Sequence, residues 1–359
     1  MSWGDGEVSF TSGERDRIKA KIVEAIGMSY GAVGFKSIDF AKHHNLSLQT
    51  VYRYLQKLED EGKIIKKRVG KNNVYSLADK TNSFRFNLNE ISEDGVWREH
   101  IYPLLKNLPE NALKNCNYAF TEMLNNAIDH SDGTNVEITV LDNSFRVILT
   151  IQDNGVGIFS KIADAFKLKE KRFAVLELAK GKFTTDPGSH SGEGIFFSSK
   201  AADTFAILSD DLLFAPISNS SIGDIDSLLL DYRKTPAKKG TDVAFLIRYE
   251  HKQTLKEIFD KYTGAPDDYG FTKTKVPVKL LEYGDEAALF TSRSQAKRLI
   301  ARFDKFNYIE LDFSDIDEIG QGFADEIFRV FSSIHPDIKL LATNCSQQIS
   351  NMIRRAKRQ

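Results

Sequence analysis

Glu122, Asn126, Asp129 and His130 stand at i, i+4, i+7 and i+8 in a stretch that reads as helix, so they project from a shared face. Ala119, Met123, Leu124, Ala127 and Ile128 form the apolar stripe beside them that faces a core. A carboxylate one turn from a carboxamide holds a water next to a hard metal ion whose remaining ligands are phosphate oxygens. A second piece follows the strand-like run Arg146 to Gln152: Asp153-Asn154-Gly155-Val156-Gly157. Here an acid precedes two glycines, where backbone turns sharply or comes close to a planar ligand. Ser191-Gly192-Glu193-Gly194-Ile195 opens another helical run and leaves free backbone N–H groups at a helix N-terminus, which suits an anion. Lys239-Gly240-Thr241 then leads into a strand from Asp242 to Ile247.

In this order the four pieces resemble the N, G1, G2 and G3 boxes of the GHKL ATPase superfamily, the ATP-binding domains of gyrase, chaperone, mismatch-repair and sensor or anti-sigma kinase proteins. The resemblance implies ATP with Mg²⁺, and roles for individual residues. Glu122 would be the general base for the group attacking the γ-phosphorus, and Asn126 the Mg²⁺ ligand. Asp153 would accept a hydrogen bond from the adenine amino group, and Gly155 and Gly157 would let backbone approach the base. Gly192 and Gly194 would offer N–H groups to the phosphates, with the Thr241 hydroxyl near the adenine end. Asp129 matches the acid of gyrase-like and mismatch-repair members, and His130 the histidine of anti-sigma kinases, so the helix leaves the branch open. Asn125 reads as a solvated neighbour, and His190 as either a phosphate contact or a polar residue at the end of a lid. Residues 159–191 correspond to the ATP lid, a segment that gates chemistry by closing; an ordinary helical insertion over Ala163 to Ala179 is the alternative for its first half.

These motifs need a scaffold, and the chain divides into three segments expected to give a multidomain α+β protein. Residues 85–250 should form a central GHKL α/β sandwich of the Bergerat type, a mixed sheet with helices on one face. Residues 10–80 read as three helices and a hairpin. Arg15 to Ile26 is the first helix, and Ser37 to His44 the second, with Asn45 as a left-handed stop. Ser47 caps the third, whose stripe is Leu48, Val51, Leu55 and Leu58 and which Gly62 ends. A basic hairpin turning at Gly70 to Asn73 completes a resemblance to a winged helix-turn-helix. Residues 1–80 hold 14 Lys and Arg against 10 Asp and Glu, a balance of +4 in a chain whose formal net charge is −1. Lys66, Lys67, Arg68 and Lys71 suit phosphate contacts, while Gln49, Thr50, Tyr52, Arg53 and Gln56 lie off the apolar stripe, in reach of base edges. A solvated helix face and a basic hairpin, in a winged helix used for dimerisation or protein contact, is the competing reading.

Residues 275–359 alternate strand and helix, an α/β domain. Glu310 to Phe323 resembles the strand, loop and helix of STAS domains. Where phosphorylatable members carry a serine at the helix start, this chain has Ile319-Gly320-Gln321-Gly322, and Ser314 in the preceding loop is a poor substitute. The resemblance is closer to small STAS-like domains fused to ATPases.

Bulk properties remove some classes. No apolar run approaches the ~18 residues of a membrane span, and the N-terminus lacks a basic and then apolar secretory signal. Cys116 and Cys345 are too far apart in sequence to suggest a disulfide framework or a cysteine metal site, which fits a reducing cytoplasm. His43 and His44, adjacent on a helix, make a poor metal pair. No histidine lies in an amphipathic dimerisation helix ahead of Glu122, which disfavours an autophosphorylating histidine kinase. The expectation is an ATP-binding regulator with slow hydrolysis, switching DNA binding and transcription, or a protein partner, through its flanking domains. An anti-sigma-type serine/threonine kinase acting on a STAS partner, and an ATP-operated homodimer clamp, are the alternatives.

Overall fold

The computed structural model describes residues 11–29, 35–70, 72–143, 145–182, 192–216, 239–263, 271–282 and 290–358. Its N-terminal part is three helices, α1 (Ser12–Met28), α2 (Ser37–His43) and α3 (Leu48–Asp60), followed by the hairpin β1 (Ile64–Val69) and β2 (Asn72–Leu77). The Thr11 hydroxyl and the Glu14 carboxylate cap α1 reciprocally. Asn45 takes the left-handed conformation after α2, at φ +51°. Ser47 accepts the Thr50 N–H at 3.0 Å to start α3. The buried stripe of α3 is Val51, Tyr54, Leu55 and Leu58, whereas Leu48 is exposed. Tyr54, not expected in the stripe, is fully buried there.

The central part is a six-stranded sheet in the order β3 (Lys80–Asn87), β4 (Asn135–Asp142), β5 (Arg146–Asp153), β8 (Thr241–Arg248), β6 (Thr204–Ser209), β7 (Leu212–Phe214). Every neighbouring pair is antiparallel, so the sheet is not the mixed one expected. The strands join through hairpins or return connections that reverse direction, and no parallel crossover is placed between neighbours. Alternation along β5 sends Val147, Leu149 and Ile151 into the main core, while Ile148 meets Ala244 and Leu246 on the other face. The core face is covered by a broken helical run, α4 (Glu93–Val96), a π-helical turn (Trp97–Ile101) and α5 (Tyr102–Leu105), and by the long helix α6 (Glu110–His130). After β5 come α7 (Ile158–Ala165) and α8 (Phe173–Lys180), and α9 (Gly194–Ala201) precedes β6.

Helix α10 (Leu255–Tyr262) leads to a parallel three-stranded sheet in the order β11 (Lys339–Thr343), β10 (Tyr308–Asp312), β9 (Lys273–Pro277). Helix α11 (Arg293–Ile300) connects β9 to β10. Between β10 and β11 lie α12 (Gln321–Asp325), a π-helical turn (Glu326–Phe331) and α13 (Ser332–Ile334), and α14 (Gln347–Lys357) follows β11. A methyl group at Gly320 would overlap the Thr291 backbone, 2.7 Å from its Cα, so glycine lets the start of α12 lie against the loop before α11. No helix among the described residues is long and apolar enough to cross a membrane.

Candidate functional site

Helix α6 is held against the sheet because Ala112, Cys116, Ala119, Phe120, Met123, Leu124 and Ala127 bury one side of it. The other side borders a cavity of about 300 Å³, within the range of small-molecule sites. Glu122, Asn125, Asn126 and His130 reach it from α6, Asp153 and Gly157 from the end of β5, Thr241 from the start of β8, and Gly192 and Gly194 from the start of α9. Of the residues singled out in sequence, two do not line it: Asp129 is exposed on the outer side of α6, and Gly155 lies behind the wall. A side chain at Gly155 would overlap the Ser131 carbonyl, so its role is close backbone packing between two site-bearing loops. Asn125, expected to be solvated, is half-buried and lines the cavity. His190 and Ser191 lie outside the described residues, as does the end of the expected lid from residue 183.

Asp153 is fixed by its own loop. Its Oδ1 accepts the N–H of Gly155 at 2.8 Å and that of Thr241 at 3.2 Å. Burial raises its pKa from the ordinary carboxylate value, against the N–H donors of Gly155 and Thr241, the Thr241 hydroxyl and the charge of Lys161. The Thr241 hydroxyl accepts the Ile158 N–H at 3.0 Å, tying β8 to the first residue of α7. Gly157, at φ +92°, lies where a Cβ would come within 2.6 Å of the Ser209 hydroxyl. Gly240, at φ +112°, passes so close to the Asp153 carbonyl that a side chain would overlap it. Both turns therefore require glycine.

At the other end, Gly194 abuts Glu122, and a side chain there would overlap the Glu122 carboxylate. Burial raises the Tyr118 pKa, and the Glu122 and Glu193 carboxylates raise it further, so both carboxylates lie within electrostatic reach of that ring. The Asn126 amide carries a buried nitrogen with no hydrogen-bond partner. Because the two ends of a carboxamide interchange by rotation, that unmatched position serves equally as an N–H donor or as an oxygen ligand. Among the described residues no group of three or more His, Cys, Asp or Glu could hold a metal ion, so a cation here needs ligands from elsewhere, such as phosphate oxygens. An unmatched amide lining the same cavity as the Glu122 carboxylate fits a magnesium–phosphate ligand.

Two polar residues of the cavity escape sequence reasoning, Ser131 and Lys161. Lys161 pairs with Asp132 at 2.7 Å. A signal for it exists: it lies one helical turn after Gly157, on a helix that begins at the glycine. Ile151, Ile162, Ile207 and Val243 supply an apolar wall suited to a flat heterocycle.

The N-terminal residues are not part of this cavity. Gln49, Tyr52, Arg53 and Gln56 are exposed along α3. Thr50 is half-buried, its hydroxyl 2.8 Å from that of Ser47, so it is engaged in the helix cap. Lys66, Lys67 and Arg68 are exposed on β1, and Lys71 lies outside the described residues. The register places Lys66 and Arg68 on the hairpin face of Tyr75, with Lys67 on the opposite face beside the exposed Ile65, Val69 and Val74.

Comparison with known families agrees with this geometry. Residues 114–250 match the family model described as "Histidine kinase-, DNA gyrase B-, and HSP90-like ATPase". Residues 295–350 match a "STAS-like domain of unknown function (DUF4325)". The chain thus carries a GHKL-type ATPase domain joined to a STAS-like domain. No curated protein matches it.

Proposed function

We propose that this protein binds Mg·ATP in the α6–β5–α9 cavity and uses nucleotide occupancy to regulate what its flanking units bind. The observation that carries this reading is the meeting of Glu122, Asn126, Asp153, Gly157, Gly192, Gly194 and Thr241, drawn from separate parts of the chain, around one cavity. Asp153 accepts the adenine amino group through its carboxylate, which selects adenine over guanine. Thr241 and the Gly157 turn hold the base edge, and the α9 start offers N–H groups to phosphate oxygens. Asn126 supplies the protein ligand to magnesium. Bound magnesium supplies neutralisation of the phosphate charge and polarises the γ-phosphorus. Glu122 takes the proton of the attacking water or hydroxyl.

Calorimetry with Mg·ATP tests the site. Asp153→Asn should weaken binding by about tenfold or more, on the order of one lost charge-assisted hydrogen bond. Glu122→Ala should keep binding and lose turnover by about 10²–10⁴-fold. Absence of binding heat with wild type, or unchanged turnover in Glu122→Ala, would refute the corresponding role.

In this reading the N-terminal unit is a winged helix that contacts DNA. The exposed Gln49 and Arg53 on α3 and the exposed Lys66, Lys67 and Arg68 on β1 support it. Changing the three wing cations to alanine should weaken binding to all sequences alike and flatten the salt dependence by about 0.9 log unit for each phosphate no longer neutralised. Equal DNA retention with and without ATP across a salt series would break the coupling. One observation favours a second reading, serine/threonine kinase action on a STAS partner. His130, the residue matching anti-sigma kinases, lines the cavity, and Asp129 does not. Label moving from γ-labelled ATP to a partner protein would support it, and release of phosphate alone would count against it.

A further inference from the structure

We propose that the STAS-like unit completes the nucleotide site in cis, with Arg302 as a positioning residue for the cavity wall at Gly181; this rests on the nucleotide reading above. Gly181 and Leu178 line the cavity from the end of α8. Gly181 sits at φ +78°, where a Cβ would come within 2.8 Å of the Phe271 ring and 3.0 Å of Phe196. Its backbone is therefore pressed against the aromatic core that α9 shares with the C-terminal unit.

Both neighbours of Gly181 are gripped from that unit. The Thr274 hydroxyl of β9 donates to the Lys180 carbonyl at 2.8 Å. Arg302, just after α11, donates to the Lys182 carbonyl at 2.6 Å. Lys180, only 1% exposed, turns the other way: its Nζ donates to the carbonyls of Arg298 and Ala301 at 3.0 Å each, and to Glu177 at 2.7 Å. Glu177 is bound on its second oxygen by Arg302 at 2.9 Å. Arg302 thus binds the Lys182 carbonyl on one side of a cavity-lining glycine and, through Glu177, reaches Lys180 on the other.

The backbone of Arg302 shows how tightly this grip is set. It lies in the left-handed region at φ +66°, which non-glycine residues seldom occupy. Its guanidinium also lies over the Phe166 ring at 4.6 Å. A strained residue held by several side-chain contacts is over-determined, and such residues concentrate where geometry matters to function. The consequence is thermodynamic linkage: whatever moves α11 moves Gly181, and nucleotide occupancy bears on α11 by the same free energy.

The test uses Arg302→Gly in the full chain, measuring Mg·ATP affinity by calorimetry and the melting temperature by circular dichroism. Glycine accepts the left-handed backbone without strain, so this variant removes the grip and spares the turn. Arg302→Lys, which restores one donor and the charge, is the rescue variant. The expected result is Mg·ATP affinity about tenfold weaker in Arg302→Gly, a typical coupling magnitude, with partial recovery in Arg302→Lys. A fall in melting temperature with affinity within twofold of wild type would overturn the proposal, because a purely structural residue behaves that way. Should Arg302→Gly not fold, Thr274→Val removes the hydroxyl on the other side of Gly181: weakened affinity supports the proposal and unchanged affinity overturns it. A wild type that takes up no nucleotide would instead remove the reading on which both stand.

Discussion

On its C-terminal side the ATPase domain runs into its neighbour without a seam, because Leu176, Phe196, Phe197 and Ala201 pack in the same apolar cluster as Ile309, Leu311 and Phe323 of the STAS-like unit. On the N-terminal side, among the described residues, a single buried residue of the ATPase domain joins the apolar cluster of the three-helix unit as a plug. Phe145, in the turn between β4 and β5, belongs to the apolar cluster of the three-helix unit and lies against Gly27, where any side chain would overlap its ring. A cavity of about 340 Å³ bordered by Lys19, Glu24, Lys63 and Glu250 adjoins the plug. A continuous core makes two units respond as one, whereas a plug beside a polar cavity permits separate movement. The shared core thus ties the STAS-like unit to the ATPase domain more closely than the plug ties the three-helix unit.

The strongest way to break that contrast is Glu177→Gln, which leaves the buried Lys180 and the half-buried Arg302 without their countercharge. Removing one partner of a buried pair costs about 3–5 kcal/mol, and the ATPase and STAS-like units should lose hydrogen-exchange protection together. Protection lost in only one of them would mean the shared core does not act as one. Phe145→Ala should cost about 3 kcal/mol, as large-to-small aromatic changes do. Its effect should stay within residues 12–77, leaving Mg·ATP affinity within about twofold; a larger change in affinity would show the plug to be coupled to the cavity. Gly181→Ala comes next, at about 1–3 kcal/mol from overpacking against Phe271. Unlike the Phe145 change, it should also weaken Mg·ATP.

The smallest effect is a difference in acid response. Burial, then Lys21 and His43, hold His44 of the N-terminal unit below its ordinary value of 6.5. The folded state therefore favours the neutral ring, and this contribution is complete above pH 6.5 and drains away as pH falls through the lowered value. In the C-terminal unit, burial pushes Asp312 up, but hydrogen bonds from Asn344, Ser314 and Lys275 outweigh it and bring the carboxyl to about 2. That contribution is complete above the ordinary 3.8 and is lost only as pH falls through about 2. Hydrogen exchange between about pH 7 and 4 should accordingly loosen the helices around His44 first. Simultaneous loosening of both units would erase the distinction.

What the sequence discloses follows from how local each determinant is. The face of α6, the Asp153 turn and the cap at Ser47 are set by residues within a few positions of each other, and periodicity and residue type display them directly. Strand direction in the central sheet depends on which distant strands pair, so the all-antiparallel order is not legible there. Asn125 adjoins Asn126 in sequence, and only the width of the cavity decides that both face it. The Glu177–Lys180–Arg302 cluster is hidden for the same reason: Arg302 is 125 residues from Glu177, and no spacing rule connects them. Leu48, the first residue of α3, fits the periodicity and is nevertheless exposed.

Strand β5 begins at the residue after Phe145 and ends at Asp153. At roughly 3.3 Å per residue, it is a rod about 26 Å long, braced on both sides by the ladders to β4 and β8. Hinge motion has no place to occur along it. The acid at one end and the aromatic ring at the other therefore keep a fixed separation, whichever way the units beside them move.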